Sequence, residues 1–258
     1  YPSLLDIPEE VDLAVFAIPA RLIPDGFRDC VKKGIQAAVV ISSGFKEAGD
    51  EGGALEDEIT RIARNGDMIF MGPNTMGIAS AQHDFEAIPT PTPVEAGGLA
   101  IISQSGNLGL QILKWVAHKN IGLNIYAGTG NEAMLNASVM MNYLGNRDDV
   151  KAIAMYIEGI SNGREFMEVA EQVTSKKPVI ALKTGRSRTG SKAAQSHTGS
   201  MAGSYATYEA MFAQKGITRV KTPTELLNVS AAMTHLPMPR SNRVGIMTMG
   251  GGWGIVAA

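Results

Sequence analysis

Several short segments of this 258-residue sequence combine small residues, glycines and titratable side chains in ways that could handle an anion. Ser103-Gln104-Ser105-Gly106-Asn107-Leu108-Gly109 follows an apolar, strand-like stretch and precedes a helix-like one. Small residues let the chain turn sharply there, and the unpaired N–H groups and positive dipole end of the new helix would suit a phosphate. An ordinary N-cap by Ser103 or Ser105 fits the same pattern. Met249-Gly250-Gly251-Gly252-Trp253-Gly254 repeats the arrangement, and two such helix starts could face one another across a single anion. A tight strand-to-helix turn needs glycine in any case.

Two further segments supply the groups that could react. Lys183-Thr184-Gly185-Arg186-Ser187 is a basic polar loop, followed by Ser196-His197-Thr198-Gly199-Ser200. Uncrowded neighbours leave the His197 imidazole free to project, whereas His83, His118 and His235 stand in polar or helical surroundings that fit surface or capping roles. Glu158 ends the apolar run Ala152 to Ile157, at the carboxyl end of a strand, where open α/β sheets keep their ligand crevice. A carboxylate accepting from one imidazole nitrogen fixes the tautomer and leaves the other nitrogen available as nucleophile or base. A solvated strand-end acid is the plainer alternative. Ser105, Glu158 and His197 also stand in the chain order of an α/β-hydrolase triad, although Ser103 replaces the first glycine of G-x-S-x-G. Gly128-Thr129-Gly130-Asn131-Glu132-Ala133 matches G-x-G-x-x-A after a strand, but Asp148 and Asp149 follow a helix rather than the strand a ribose-binding acid would need.

The elements that must position these groups alternate along the chain. Buried strands are expected at Val11 to Ile18, Ala37 to Ile41, Met68 to Met71, Leu99 to Ser103, Leu123 to Ala127, Ala152 to Ile157, Val179 to Leu182 and Val244 to Thr248. Helical spacing occupies Asp25 to Lys33, Ala54 to Arg64, Gly109 to His118, Leu135 to Leu144, Arg164 to Thr174, Ser204 to Gln214 and Pro223 to Thr234. Near-continuous apolar strands alternating with helices define an α/β architecture around doubly wound parallel sheets. Ile88 to Pro93 and Leu236 to Pro239 are proline-punctuated runs that interrupt any sheet or helix, so boundaries are expected there. They divide the chain into 1–93, 94–238 and 239–258.

With 23 basic against 25 acidic residues and no cationic run, the chain lacks the electrostatics of a nucleic-acid binder. Cys30 is its only cysteine, which excludes an intrachain disulfide and a cysteine metal site and fits a reducing, cytoplasmic setting. No apolar run is long enough to span a membrane. Tyr1 in place of Met is expected of a chain that continues a longer or processed polypeptide.

Taken in order, Val11-Asp12-Leu13-Ala14-Val15 with Ile18-Pro19-Ala20, Ser42-Ser43-Gly44-Phe45, Gly72-Pro73-Asn74-Thr75-Met76-Gly77-Ile78, Ser103-Gln104-Ser105-Gly106, Tyr156-Ile157-Glu158-Gly159, Gly185-Arg186-Ser187, Ser196-His197-Thr198-Gly199 and the terminal glycine turn resemble the ADP-forming acyl-CoA synthetases, relatives of the succinyl-CoA synthetase α subunit. The resemblance implies a Rossmann-like CoA-binding domain lacking its opening strand and phosphate loop, then a flavodoxin-like ligase domain, then the start of a third flavodoxin-like domain. It further implies a reaction interconverting acyl-CoA, ADP and phosphate with a carboxylic acid, CoA and ATP. His197 matches the phosphohistidine and Glu158 its hydrogen-bonding acid. Ser103, Ser105, Gly106, Gly251 and Gly252 match the turns that hold the phosphoryl group, while Ile41, Ser42 and Ser43 match a CoA-contacting strand end and Asn74 the segment near the thiol. ATP or ADP with Mg2+ belongs to an ATP-grasp module, fused or separate, and an oligomer is implied. A CoA-binding module without catalysis is the alternative. Thr75 replaces a common cysteine, Leu110 a tyrosine near the acid substrate, and Met134, Asn136 and Ser138 replace frequent acidic positions.

Overall fold

The computed structural model describes residues 1–185, 204–237, 239, 241 and 243–257. Three parallel strands, β1 (Leu13–Phe16), β2 (Ala37–Val40) and β3 (Ile69–Met71), form the first sheet in that order. Helices α1 (Ile23–Lys33) and α2 (Asp50–Asn65) join them. Pro24, whose missing N–H costs nothing in the first turn, opens α1, and Gly34 at φ 84° closes it. The apolar stripe Ile23, Phe27 and Cys30 packs with Ile59 and Ala63 of α2 on Phe16, Val40 and Phe70. Phe27 stands 5.2 Å from the Phe16 ring and 5.3 Å from Phe70, centroid to centroid.

The second sheet has seven strands in the order β10-β9-β8-β6-β7-β4-β5. Its centre, β6 (Ala96–Ser103), β7 (Leu123–Gly128), β8 (Ala152–Ile157) and β9 (Val179–Lys183), is parallel, and β10 (Thr218–Val220) extends it in the same sense. Every residue of β7, β8 and β9 is buried, because both faces are covered. Helices α3 (Gly106–His118) and α7 (Pro223–His235) cover one face through Leu110, Leu113, Val116, Leu226 and Leu227. The other face carries α4 (Ala137–Gly145), α5 (Gly163–Thr174) and α6 (Tyr205–Gln214), with Met141, Leu144, Phe166, Val173 and Phe212 in its core. Val39 and Met71 of the first sheet join that same core, so the two sheets share packing. The chain runs from β6 to β7 on one side of β6 and returns to β8 on the other, a topological switch point.

Two expectations change. The chain leaves the first sheet before the proline run: β4 (Ile78–Ser80) and β5 (Phe85–Ala87) both precede residue 93, yet β4 pairs antiparallel with β7. Each has only three residues and no apolar run, so neither has a local strand signature; the Ile88 to Pro93 segment links β5 to β6. Val244 to Thr248 forms no strand, since a ladder needs a partner and none pairs with it among the described residues. Val244 and Met247 are exposed ahead of the short helix α8 (Gly251–Ala257).

Candidate functional site

At the switch point, the carboxyl ends of β6 and β8 are joined by one side chain. Gln104 Oε1 accepts from the backbone N–H of Glu158 at 2.5 Å and of Gly159 at 3.0 Å, and its Nε2 donates to the Gly159 carbonyl at 2.7 Å. The amide thus continues the parallel ladder beyond the strands and fixes Glu158 beside the Ser103 to Gly106 turn. Ser103 is fully buried, and its hydroxyl donates to the Ser105 carbonyl at 2.8 Å. Ser105 caps α3 by accepting from Leu108 N at 3.5 Å. Its backbone, at φ −88° and ψ 119°, is relaxed and extended rather than the strained elbow that presents a hydrolase nucleophile. The cap reading therefore holds for this serine, and the helix start remains compatible with an anion.

Glu158 is only 7% exposed. Beneath it, Lys183 at the end of β9 is buried and donates through Nζ to the carbonyl oxygens of Glu158 at 2.8 Å and Thr184 at 2.6 Å. The ammonium also lies 4.5 Å from the Tyr208 ring centroid. Burial pulls its pKa down while the Glu158 charge opposes that shift. Tyr156, near the carboxyl end of β8, is pushed up to about 12 by burial and by the Glu158 carboxylate.

The loop after β7 supplies the other wall. Thr129 N donates to the Ser103 carbonyl at 2.8 Å, Asn131 N to Pro73 O at 2.9 Å and Ala133 N to Gly72 O at 3.2 Å. Gly130 sits at φ 59°, and a Cβ there would come within 2.3 Å of Pro73 O. Its glycine is needed for this close approach to the Gly72–Asn74 turn. The loop does not open a helix directly, since α4 starts at Ala137 behind the Asn136 cap; the dinucleotide pattern at Gly128 to Ala133 therefore lacks its helix.

Asn131 is the hub between the two units. Its Nδ2 donates to Glu47 Oε2 at 2.6 Å and Glu56 Oε2 at 2.8 Å, and its Oδ1 accepts from Asn74 Nδ2 at 3.2 Å. Burial raises both carboxyls; hydrogen bonds from Asn131 and from Gly44 and Phe45 N–H outweigh it at Glu47, whose pKa is lowered, but not at Glu56, whose pKa stays raised. Next in sequence, Glu132 adopts φ 60°, and its Oε1 accepts from Ala137 N at 2.9 Å. Burial, with a contribution from the Glu158 charge, pushes Glu132 up to about 7 against the hydrogen bonds from Gln104, Thr129 and Ala137.

These groups line a cleft of about 350 Å³ whose walls include Asn74, Gln104, Asn131, Glu132 and Glu158. The first unit ends at the same place: Asn74 N donates to Ser42 O at 2.9 Å, and Ser42 Oγ reaches Ile18 O at 2.6 Å. Ile41, Ser42 and Ser43 thus lie at the carboxyl end of β2 next to the cleft wall, with Ser43 exposed. The Thr75 hydroxyl donates to the Gly128 carbonyl and accepts from Gly77 N at 2.9 Å, a structural role in the same turn. Glu158 and Asn74 therefore line one cleft, and Gln104 ties the turn that carries Ser103, Ser105 and Gly106 to Glu158. Gly251 and Gly252 are exposed in α8, whose described hydrogen bonds are local. His197 lies outside the described residues. Gln104, Asn131, Glu132 and Lys183 carry no individual role in the sequence reading, although each lies in a segment that it names: the Ser103 turn, the glycine loop and the basic loop that begins at Lys183.

Such a construction, a small parallel α/β unit handing its strand ends to the switch-point crevice of a doubly wound sheet, defines a two-unit α/β protein with a polar cleft where the units meet. Residues 96–233 match the succinyl-CoA ligase-like flavodoxin domain and residues 1–81 a CoA-binding domain, and the chain belongs to this succinyl-CoA ligase-like family. It is 42% identical over 257 residues to the acetate–CoA ligase [ADP-forming] I subunit alpha of Pyrococcus furiosus, covering 100% of this chain and 56% of that protein. It is 34% identical over 261 residues to the 4-hydroxybutyrate–CoA ligase [ADP-forming] of Nitrosopumilus maritimus, covering 100% of this chain and 37% of that one. Among solved structures, the dinucleotide-forming acetyl-coenzyme A synthetase 1 of Ca. Korarchaeum cryptofilum in complex with phosphate and ADP superposes with a TM-score of 0.94 at 38% identity, covering 99% of this chain and 55% of that one. The chain spans about half the length of the α-subunit relatives it matches, 56% in each case. No helix among the described residues is long and apolar enough to cross a membrane.

Proposed function

We propose that this chain is the CoA-binding and phosphoryl-carrying part of an ADP-forming acid–CoA ligase, which interconverts acyl-CoA, ADP and phosphate with a carboxylic acid, CoA and ATP. The observation that carries the reading is the Gln104 clasp, which ties the Ser103 to Gly106 turn to the Glu158–Gly159 backbone at the cleft that Glu158 shares with Asn74 of the first unit. Relatives named for different acids, acetate and 4-hydroxybutyrate among them, match this chain over its full length, so the ligase class is better supported than any one acid.

In this reading phosphate attacks the thioester carbonyl, CoA departs, and an acyl phosphate forms in the cleft. His197 then takes the phosphoryl group on the nitrogen left free when Glu158 accepts a hydrogen bond from the other, the P–O bond to the acyl oxygen breaks, and the carboxylate leaves with that electron pair. The α3 amides behind Ser105 compensate the phosphoryl charge without reorganising, as preorganised donors do in a site that excludes water. Ile41, Ser42 and Ser43 at the end of β2 and Asn74 beside them hold CoA, with its thiol toward the cleft. Gly251 and Gly252 are assigned to the second helix start at the phosphoryl group. Nucleotide with Mg2+ binds an ATP-grasp domain or subunit in an oligomeric, cytoplasmic enzyme, where it accepts the phosphoryl group. The test is turnover by the full-length protein: ATP should form from acetyl-CoA, ADP and phosphate, with a stoichiometric release of CoA. CoA binding without ATP formation from any of a panel of short acyl-CoAs would leave a non-catalytic CoA-binding module as the correct reading.

A further inference from the structure

The thioester half of the proposed reaction needs a group to take the thiol proton of CoA, and neither His197 nor Glu158 has that task. The cleft holds a second carboxylate. Glu132 follows Asn131, whose side chain is bonded to Asn74 and whose backbone is bonded to Pro73, so the segment assigned to the thiol end abuts it directly. On its other side, Gln104 hydrogen-bonds Glu132 and also clasps the Glu158 backbone. Glu132 therefore stands between the thiol segment and the phosphoryl-site acid, where sulfur and acyl carbonyl must meet.

The construction around it is costly for a residue that only packs. A non-glycine residue in the left-handed region is strained, and Glu132 holds φ 60° there. Its carboxyl is aimed by Ala137 N at the start of α4, and the wall it forms is open to the cleft. We propose that Glu132 is the general base for CoA, accepting the thiol proton as sulfur attacks the acyl phosphate and returning it to sulfur in the reverse direction. This assignment rests on the ligase reading above. In the synthetic direction the S–H bond breaks and its proton passes to the Glu132 carboxylate. The sulfur lone pair forms the C–S bond, the acyl C–O bond to phosphate breaks, and phosphate leaves with that electron pair.

A base that titrates near neutrality is matched to this work, and burial places Glu132 at about 7. The charged groups that line the cleft with it are Glu158 just after β8, Lys46 ahead of α2, and Glu56, Asp57 and Arg64 from α2. Glu47 accepts a hydrogen bond from the neighbouring Asn131.

The experiment compares full-length wild type with Glu132→Gln in two half-reactions. Enzyme phosphorylation by ATP involves no thiol and should stay within about threefold, whereas CoA-dependent discharge to acyl-CoA should fall at least about 100-fold, the usual range for losing general-base help. The acidic limb of the pH profile for discharge should vanish with it. CoA affinity and the unfolding midpoint, measured in parallel, separate chemistry from misfolding, and Glu132→Asp should recover part of the discharge rate. Discharge by Glu132→Gln within threefold of wild type, or equal losses in both half-reactions, overturns the assignment. Absence of any phosphoenzyme in wild type would instead sink the ligase reading itself.

Discussion

Removing the Asn131 side chain tests how the two units are held together. Asn131→Ala deletes two hydrogen bonds to carboxylates, at 2.6 and 2.8 Å, and one to the Asn74 amide at 3.2 Å. Hydrogen bonds to charged groups contribute about 1.5–3 kcal/mol each and a neutral one about 1. Water reaching this half-buried cleft screens part of that, so a net loss of about 2–4 kcal/mol is expected. Two carboxylates, Glu47 and Glu56, would also be left facing one another without the shared donor. Equilibrium urea unfolding of the 258-residue chain, followed by far-UV circular dichroism, reads the loss as a lower midpoint at unchanged slope. Because the interaction is with ionised carboxyls, the gap between wild type and variant should narrow as pH falls and the burial-raised Glu56 takes up its proton first. A loss below about 0.5 kcal/mol, or one independent of pH, would refute the hub.

Glu132 makes stability depend on pH in a defined direction. Its carboxyl rises from 4.5 to about 7 on folding, so the folded state binds the extra proton in that window. The contribution of Glu132 to stability is then greatest below about pH 4.5 and is lost as pH rises through about 7, by on the order of 3 kcal/mol at roughly 1.4 kcal/mol per unit. In Glu132→Gln this component of the unfolding free energy should be flat across the window, which denaturation at a series of pH values measures. Gly130→Ala should destabilise by about 2–4 kcal/mol, combining a left-handed backbone with a Cβ 2.3 Å from Pro73 O. The same denaturation assay checks it, and a near-neutral result would mean that the two loops do not meet as described.

Local pattern was enough for the framework because burial on both faces writes itself into single segments. Ala152–Ile157 is apolar throughout and is a strand over exactly those residues, and Val179–Lys183 exceeds its expected range by one residue, the buried Lys183. Helix α7 begins where Pro223 and the Thr222 cap place it. Short pieces carry no such record: Ile78–Ser80, Phe85–Ala87 and Thr218–Val220 are strands only because a neighbouring strand pairs with them. Conversely, Val244 to Thr248 has the apolar content of a strand and no partner among the described residues.

The site divides along the same line. Ser103 to Gly106 and Glu158 are legible because each sits at a strand end defined by its own flanking residues. Asn131 bonds to residues 57, 75 and 84 positions away, and the Glu158 carbonyl is held by a lysine 25 positions on. Nothing local to Asn131 or Lys183 records those partners. The glycine loop was visible, but its spacing was equally that of a dinucleotide turn, and only the approach of Gly130 to Pro73 distinguishes the two.

The central claim is that a phosphoryl group is carried on His197 beside Glu158. The direct measurement is mild labelling of the full-length protein with terminally labelled ATP, followed by peptide mapping under alkaline conditions. The account predicts an acid-labile, base-stable label on the peptide containing His197, lost in His197→Ala and formed about 10- to 100-fold more slowly in Glu158→Gln, as expected for one charge-assisted hydrogen bond. Label retained in His197→Ala would contradict it.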